Sequence, residues 1–261
     1  MRQHRRMRRL TLVGIALLVL TALTSCALVI DRASGRQVTK VLLVGDSVMW
    51  GAATDIAEEF SAFGVEVRYV GLAATGPLWN NKRWASWTAE AVTQFKPDLV
   101  ILEACCVYPG IATAQYGGGQ LFVNSAGTTV EPDSDLMFAE WKKAMQELIA
   151  IARFGGASVW VVNMLRGLEP ARYYGALFPE RINRLRELYK TLGAPIVDWD
   201  AAVYSQTSPD AYRAPDGVHP NTAGYDFLAK YTFNATVFVQ NSAPGTGNQG
   251  AHVITTRRST S

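Results

Sequence analysis

The chain has 261 residues, 49% of them hydrophobic, with 25 Lys and Arg against 22 Asp and Glu and a formal net charge of +3. That length and apolar content suit one globular domain with its own core and exclude a wholly disordered chain. Five arginines and no acid precede Cys26, leaving 20 basic and 22 acidic residues after it, a net of −2, so the basic balance belongs to the leader and no nucleic-acid partner is expected.

Residues 1–25 read as an export signal: Arg2, Arg5, Arg6, Arg8 and Arg9 come first, then an almost wholly apolar run over 10–23. Leu23-Thr24-Ser25-Cys26 looks like a bacterial lipobox, with Cys26 as the lipidated first residue of the mature chain. An uncleaved anchor is the alternative, since 10–30 is long enough to span a bilayer and the arginines favour an N-inside orientation. Free secretion is the third. All three place the body outside the cytoplasm, and the first two tether it to the outer face of the cytoplasmic membrane. Residues 26–38 read as a tether, 39–240 as the folded domain and 241–261, rich in Gly, Ser, Thr and Asn, as a disordered tail.

Within the body, short β-branched and apolar runs at 41–44, 65–70, 99–102, 158–164 and 195–197 read as strands. Helical patterns separate them. Ile56, Phe60 and Phe63 share one face before Gly64; Phe138, Trp141, Met145, Leu148 and Ala152 share another. Ile182, Leu185, Tyr189 and Leu192 form a third before Gly193, and Asn221 or Thr222 can cap a last helix. The alternation predicts a parallel sheet with helices on both faces, a three-layer α/β/α sandwich with five parallel strands. The segment 107–133 is too long for an ordinary connection. Residues 120–123 and 128–130, around Asn124-Ser125-Ala126-Gly127, can pair as a hairpin there and form a lid or substrate wall.

The chemistry rests on two distant motifs. His4 lies in the leader and His252 in the tail, so His219 is the one imidazole of the body. It stands three residues after Asp216, in a turn restricted by Pro215, Gly217 and Pro220. Ser47 follows the first strand and opens a helix, the end of a parallel sheet at which ligands bind. A serine needs a base to become nucleophilic, and the base needs a third group to fix its tautomer. Ser47, His219 and Asp216 supply all three.

Gly45-Asp46-Ser47-Val48 together with Asp216-x-x-His219 resembles the SGNH (GDSL-type) hydrolase family over about residues 39–240. The resemblance implies a flavodoxin-like α/β/α fold, Ser47 as nucleophile, His219 as base and Asp216 as its partner. It also implies an oxyanion hole built from the N–H groups of Ser47 and a residue after the second strand, Gly76 with Ala74 as the alternative. The Gly-Asp-Ser-Val form is typical of envelope-polysaccharide members. The third family block, Gly-x-Asn-Asp, is replaced by Glu103-Ala104-Cys105-Cys106. Loss of one oxyanion donor can cost about 10²–10³ in turnover. The substitute is Cys105 or Cys106, an asparagine from elsewhere (Asn80, Asn81 or Asn163), or the substrate itself.

Adjacent Cys105 and Cys106 are two small buried thiols or a vicinal disulfide. No His or acid cluster has metal-ligand spacing, so neither metal nor cofactor is expected. Trp50, Trp79, Trp84 and Trp87 cluster in sequence near the first two loops and can form either core or a sugar-stacking platform. Arg166 can meet an anionic group or form an ordinary ion pair. The resulting expectation is an extracytoplasmic serine esterase that removes small O-acyl groups, acetyl foremost, from an envelope glycan or glycolipid. Two rivals stand beside it: an O-acyltransferase using the same site with a membrane acyltransferase partner, and a non-catalytic glycan-binding scaffold.

Overall fold

Branched and aliphatic side chains buried on both faces make the central strands, which is the pattern a covered parallel sheet requires. The structure, a computed structural model, describes residues 27–73, 75–78, 81–105, 121–166 and 178–241. In chain order the elements are β1 Ala27–Asp31, β2 Lys40–Gly45, α1 Ser47–Ser61, β3 Glu66–Gly71, α2 Asn81–Phe95, β4 Leu99–Leu102, α3 Asp135–Phe154, β5 Ser158–Asn163, α4 Phe178–Tyr189, β6 Ile196–Asp198, α5 Trp199–Tyr204, a 3-10 turn at Pro209–Tyr212, α6 Thr222–Thr236 and β7 Val237–Asn241. Each of the five expected strands is present, displaced by at most one residue at either end.

The main sheet has the order β3-β2-β4-β5-β6, and every neighbouring pair is parallel. Helices α1 and α6 pack together, with α5 against α6, while α2 packs on α3 and α3 on α4. These are the two outer layers of the expected sandwich. The predicted helix faces are the buried ones: Ile56 and Phe60; Phe138, Trp141, Met145, Leu148 and Ala152; Ile182, Leu185, Tyr189 and Leu192. Phe63 lies beyond the end of α1, partly exposed, and stacks on Phe233 at 5.2 Å.

Strand order matters for function because the chain steps to opposite sides of β2, first to β3 and then to β4. This is the switch point at which open α/β sheets leave a crevice at the strand C-termini. Register places Gly45 opposite Gly71 at that rim. The approach is close: a Cβ on Gly71, whose φ is +157°, would lie 1.7 Å from the Gly45 carbonyl oxygen.

Residues 29–38 correct the expectation of a tether. Val29, Ile30 and Val38 are buried, and buried Asp31 accepts the indole N–H of Trp160 at 2.8 Å. β1 and β7 form a separate two-stranded sheet. Backbone contacts group Val29–Phe238 into one unit and the two chain ends into another, of which residues 27, 28 and 239–241 are described. β7 extends through Asn241, the first residue of the expected tail; the rest of the tail and the whole leader lie outside the described residues. The expected hairpin is present as one antiparallel bridge, Val123 with Thr129, closed by Gly127 at φ +78°.

Candidate active site

Ser47 is the first residue of α1, at the rim end of β2. Asp46 caps the helix: its Oδ1 accepts the Val48 N–H at 2.9 Å, and its carbonyl accepts the Trp50 N–H. A cap of this kind is worth about 1 kcal/mol. The Ser47 N–H, the first of the helix, has no partner within the helix ladder, so it is placed to serve an oxyanion.

His219 reaches this point from the other end of the chain. Its Nε2 is 2.9 Å from Ser47 Oγ, and its Nδ1 is 2.7 Å from Asp216 Oδ2. The turn between Asp216 and His219 is self-bracing. Asp216 Oδ1 accepts the N–H groups of Val218 and His219 at 2.8 and 2.9 Å, and Gly217 takes φ +76°. The carboxylate therefore orients the histidine through both backbone and ring. Burial opposes the charged form of Asp216, but these two N–H groups and the imidazole outweigh it and hold its pKa below the ordinary value. Asn221 caps α6 by accepting the Gly224 N–H, and its own amide N–H bonds to the carbonyls of Ala211 and Arg213. About a quarter of each of the His219 and Asp216 side chains is exposed, so the dyad is open to substrate yet partly dry.

Two residues that sequence reasoning missed support these turns. Glu103, which follows β4, is wholly buried beneath Gly45 and Asp46. Arg213 is buried behind the histidine turn, where one Nη donates to the carbonyls of Arg166 and Gly217 at 2.9 Å. Glu103 falls in the stretch that replaces the third family block but matches none of its residues, and Arg213 lies outside every motif. The signal available was a charged residue at a strand end and another just before a constrained turn.

The oxyanion expectations fare unevenly. Gly76 is buried in the loop after β3, which Thr75 pins by donating to the Leu72 carbonyl and accepting the Trp84 indole N–H. Ala74, Asn80 and Cys106 lie outside the described residues, as does the Asn81 side chain. Cys105 is disulfide-bonded, so it carries no S–H, and the thiol-donor alternative is withdrawn for it. Its backbone N–H is also engaged, donating to Asp46 Oδ2 at 2.7 Å. Asn163 is buried at the end of β5, and its side-chain oxygen has no hydrogen-bond partner among the described residues.

The tryptophans do not act as one cluster. Trp84 belongs to the core at 2% exposure, Trp87 borders a cavity of about 240 Å³ with Tyr69 and Phe95, and Trp79 lies outside the described residues. Trp50, one helical turn after Ser47, is 64% exposed. Arg166 forms the ordinary alternative, a two-pronged ion pair with buried Asp200, and stacks on Tyr204 with its guanidinium 3.7 Å from the ring centre. Among the described residues no group of three His, Cys, Asp or Glu could hold a metal ion, and no helix is long and apolar enough to cross a membrane.

A sequence profile of the GDSL-like lipase/acylhydrolase family matches residues 43–227, more than half of the chain. No curated protein sequence matches it. Among solved structures, a lipase/acylhydrolase from Enterococcus faecalis is 18% identical, with a TM-score of 0.52 over 75% of this chain and 93% of that one. A GDSL-like lipase from Bacteroides thetaiotaomicron is 16% identical, with a TM-score of 0.52 over 76% and 87%. An acetyl xylan esterase is 17% identical, with a TM-score of 0.50 over 75% and 98%. At such identities the likeness to solved structures is one of fold, whereas the profile match spans the motifs themselves. The chain belongs to the GDSL-like lipase/acylhydrolase family of ester-hydrolysing enzymes.

Proposed function

We propose that the protein is an extracytoplasmic serine esterase that removes small O-acyl groups, acetyl foremost, from an envelope glycan or glycolipid. The observation that carries the reading is the continuous relay from Ser47 Oγ through His219 to Asp216, at 2.9 and 2.7 Å. Ser47 Oγ attacks the acyl carbonyl carbon as its proton passes to His219 Nε2. The Nδ1–H bond to Asp216 fixes the tautomer and stabilises the imidazolium. The tetrahedral oxyanion takes the Ser47 N–H at the positive end of α1, with Gly76 as second donor. As the intermediate collapses, the sugar oxygen leaves with the proton held by His219. Water, deprotonated by the same nitrogen, then releases the acid from Ser47.

Exposed Trp50 supports a ring-shaped alcohol portion, since a flat aromatic beside the nucleophile suits stacking on a sugar. A fold neighbour that is an acetyl xylan esterase is consonant with an acetylated glycan substrate. The arginine-rich leader and Cys26 support membrane tethering outside the cytoplasm.

The test uses full-length protein and its Ser47→Ala variant on 4-nitrophenyl acetate, followed by acetate release from an O-acetylated glycan. Turnover of both substrates, lost in the variant, is expected. Background rates on both with the parent protein overturn the esterase reading. Diversion of acyl groups to an added acceptor sugar would instead identify the transferase.

A further inference from the structure

The carboxyl group of Glu103 takes no part in the relay, yet it is buried directly under the residue before the nucleophile. Its Oε2 lies 3.4 Å from the Asp46 N–H, and a Cβ on Gly45 would come within 3.0 Å of it. Its Oε1 is buried without a hydrogen-bond partner among the described residues. Asp46 is equally buried and already uses both oxygens: Oδ1 for the Val48 N–H and Oδ2 for the Cys105 N–H. Two carboxyl groups sharing one dry site cannot both hold a charge. Glu103 also faces backbone N–H groups, those of Asp46 and Met49, but the donors at Asp46 are closer, at 2.9 and 2.7 Å against 3.4 Å from the Asp46 nitrogen to Glu103, so Asp46 is the better anion and Glu103 the acid whose proton bonds to it. Burial first, and then the charge of Asp46, push the Glu103 carboxyl well above the ordinary range.

We infer that Glu103 is a positioning residue for Ser47: it fixes the Asp46 side chain, which ties the start of α1 to the end of β4 and so sets the turn on which the serine stands. The inference rests on the serine-esterase reading for its kinetic consequence. The surroundings are closed. Tyr69 of β3 donates to the Gly45 carbonyl at 2.9 Å, and Tyr189 of α4 bonds to the backbone of Ala104 at 2.8 Å. Tyr225 of α6 fills the space over Gly51, where a Cβ would meet its ring at 2.3 Å. These three hydroxyls and His219 are the titratable groups facing the carboxyl pair. A glutamate here also sets a hydrogen-bond donor beneath the turn that an apolar residue of the same size would lack.

The experiment compares full-length parent protein with Glu103→Met, Glu103→Gln and Glu103→Asp, reading kcat and KM on 4-nitrophenyl acetate and the rate at which an organophosphonate labels Ser47. Glu103→Met should lower kcat and labelling by about tenfold or more while KM stays within about twofold, because a displaced nucleophile slows chemistry rather than binding. Glu103→Gln, which keeps a neutral donor, should stay within about threefold of the parent, and Glu103→Asp, one methylene short, should fall between the two. Parent-like kcat in Glu103→Met, or equal losses in the Met and Gln variants, overturns the inference.

Melting curves from pH 5 to 9 supply an arm that needs no turnover and no methionine variant. The parent loses the benefit of a protonated Glu103 as pH rises, and glutamine cannot ionise, so the melting temperature of Glu103→Gln should climb relative to the parent. A flat difference overturns the carboxyl pair. An inactive but folded parent overturns the esterase reading and leaves this arm to decide on Glu103.

Discussion

At the serine turn the groups that need partners are N–H donors, those of Val48 and Cys105, and the carboxylate of Asp46 takes them. At the histidine turn the groups in need are carbonyl oxygens, those of Gly217, Val218 and Arg166, and the guanidinium of Arg213 takes them. The two supports are built from opposite charges because one turn opens a helix and the other loops back on itself toward the next cap. They also differ in balance. Asp46 is matched by a proton on Glu103, whereas Arg213 makes no ion pair among the described residues, and its Nε and one Nη have no hydrogen-bond partner there. Burial therefore pulls the Arg213 pKa below its usual value, with the fields of Tyr204, Asp200 and Asp216 opposing it.

The largest effects come from removing the reacting groups. Ser47→Ala and His219→Ala should each lower kcat by about 10⁴-fold or more, measured on 4-nitrophenyl acetate, which would show that the two turns serve one reaction. Asp216→Asn leaves shape nearly intact but offers the wrong partner to Nδ1, and a loss of about 10³–10⁴ in kcat is expected. A mild effect there would mean that backbone bracing alone orients His219.

The supports should matter less than the groups they hold. Arg213→Met leaves buried carbonyls unpaired and should cost about 1–3 kcal/mol in denaturant unfolding, with kcat reduced and KM nearly unchanged. An unchanged stability would show that Arg213 is not what holds the turn.

pH separates the two turns by sign. Asp216 has a lowered pKa in the folded chain, so its stabilisation is present above the unfolded carboxylate value of about 3.9 and is lost as pH falls through the folded value. The penalty of Asp216→Asn should therefore shrink in acid. Glu103 has a raised pKa, so its contribution is complete below the unfolded value of about 4.3 and is lost as pH rises through the folded value. Melting temperatures of both variants across pH check the contrast, and slopes of the same sign would break it.

The smallest effect is expected outside both turns. Trp50→Ala should change stability by less than about 0.5 kcal/mol, because its side chain is largely exposed. It should raise KM for an acetylated glycan and leave 4-nitrophenyl acetate turnover unaltered. Equal effects on both substrates would assign Trp50 to the turn rather than to the sugar.

Much of the frame was legible from local pattern. Covered parallel strands must be apolar on both faces, so 99–102 could be read to the residue. The relay was legible for a different reason: with one imidazole in the body, His219 had no competitor, and Asp216 lay within a turn of it. Patterns failed where partners are remote. Glu103 read as a departure from the family block, and its meaning depends on Asp46, 57 residues away. Residues 26–38 read as a tether because the burial of Val29, Ile30, Asp31 and Val38 depends on remote partners such as Trp160 and the end of α6.

The sequence alone determined the element order, the apolar faces and the identity of the three residues of the relay, because periodicity and a scarcity of alternatives act locally. Tertiary structure decided which charges are buried together, which tryptophan faces outward and how each turn is held. Those outcomes depend on desolvation, and a group is desolvated only when distant segments close over it.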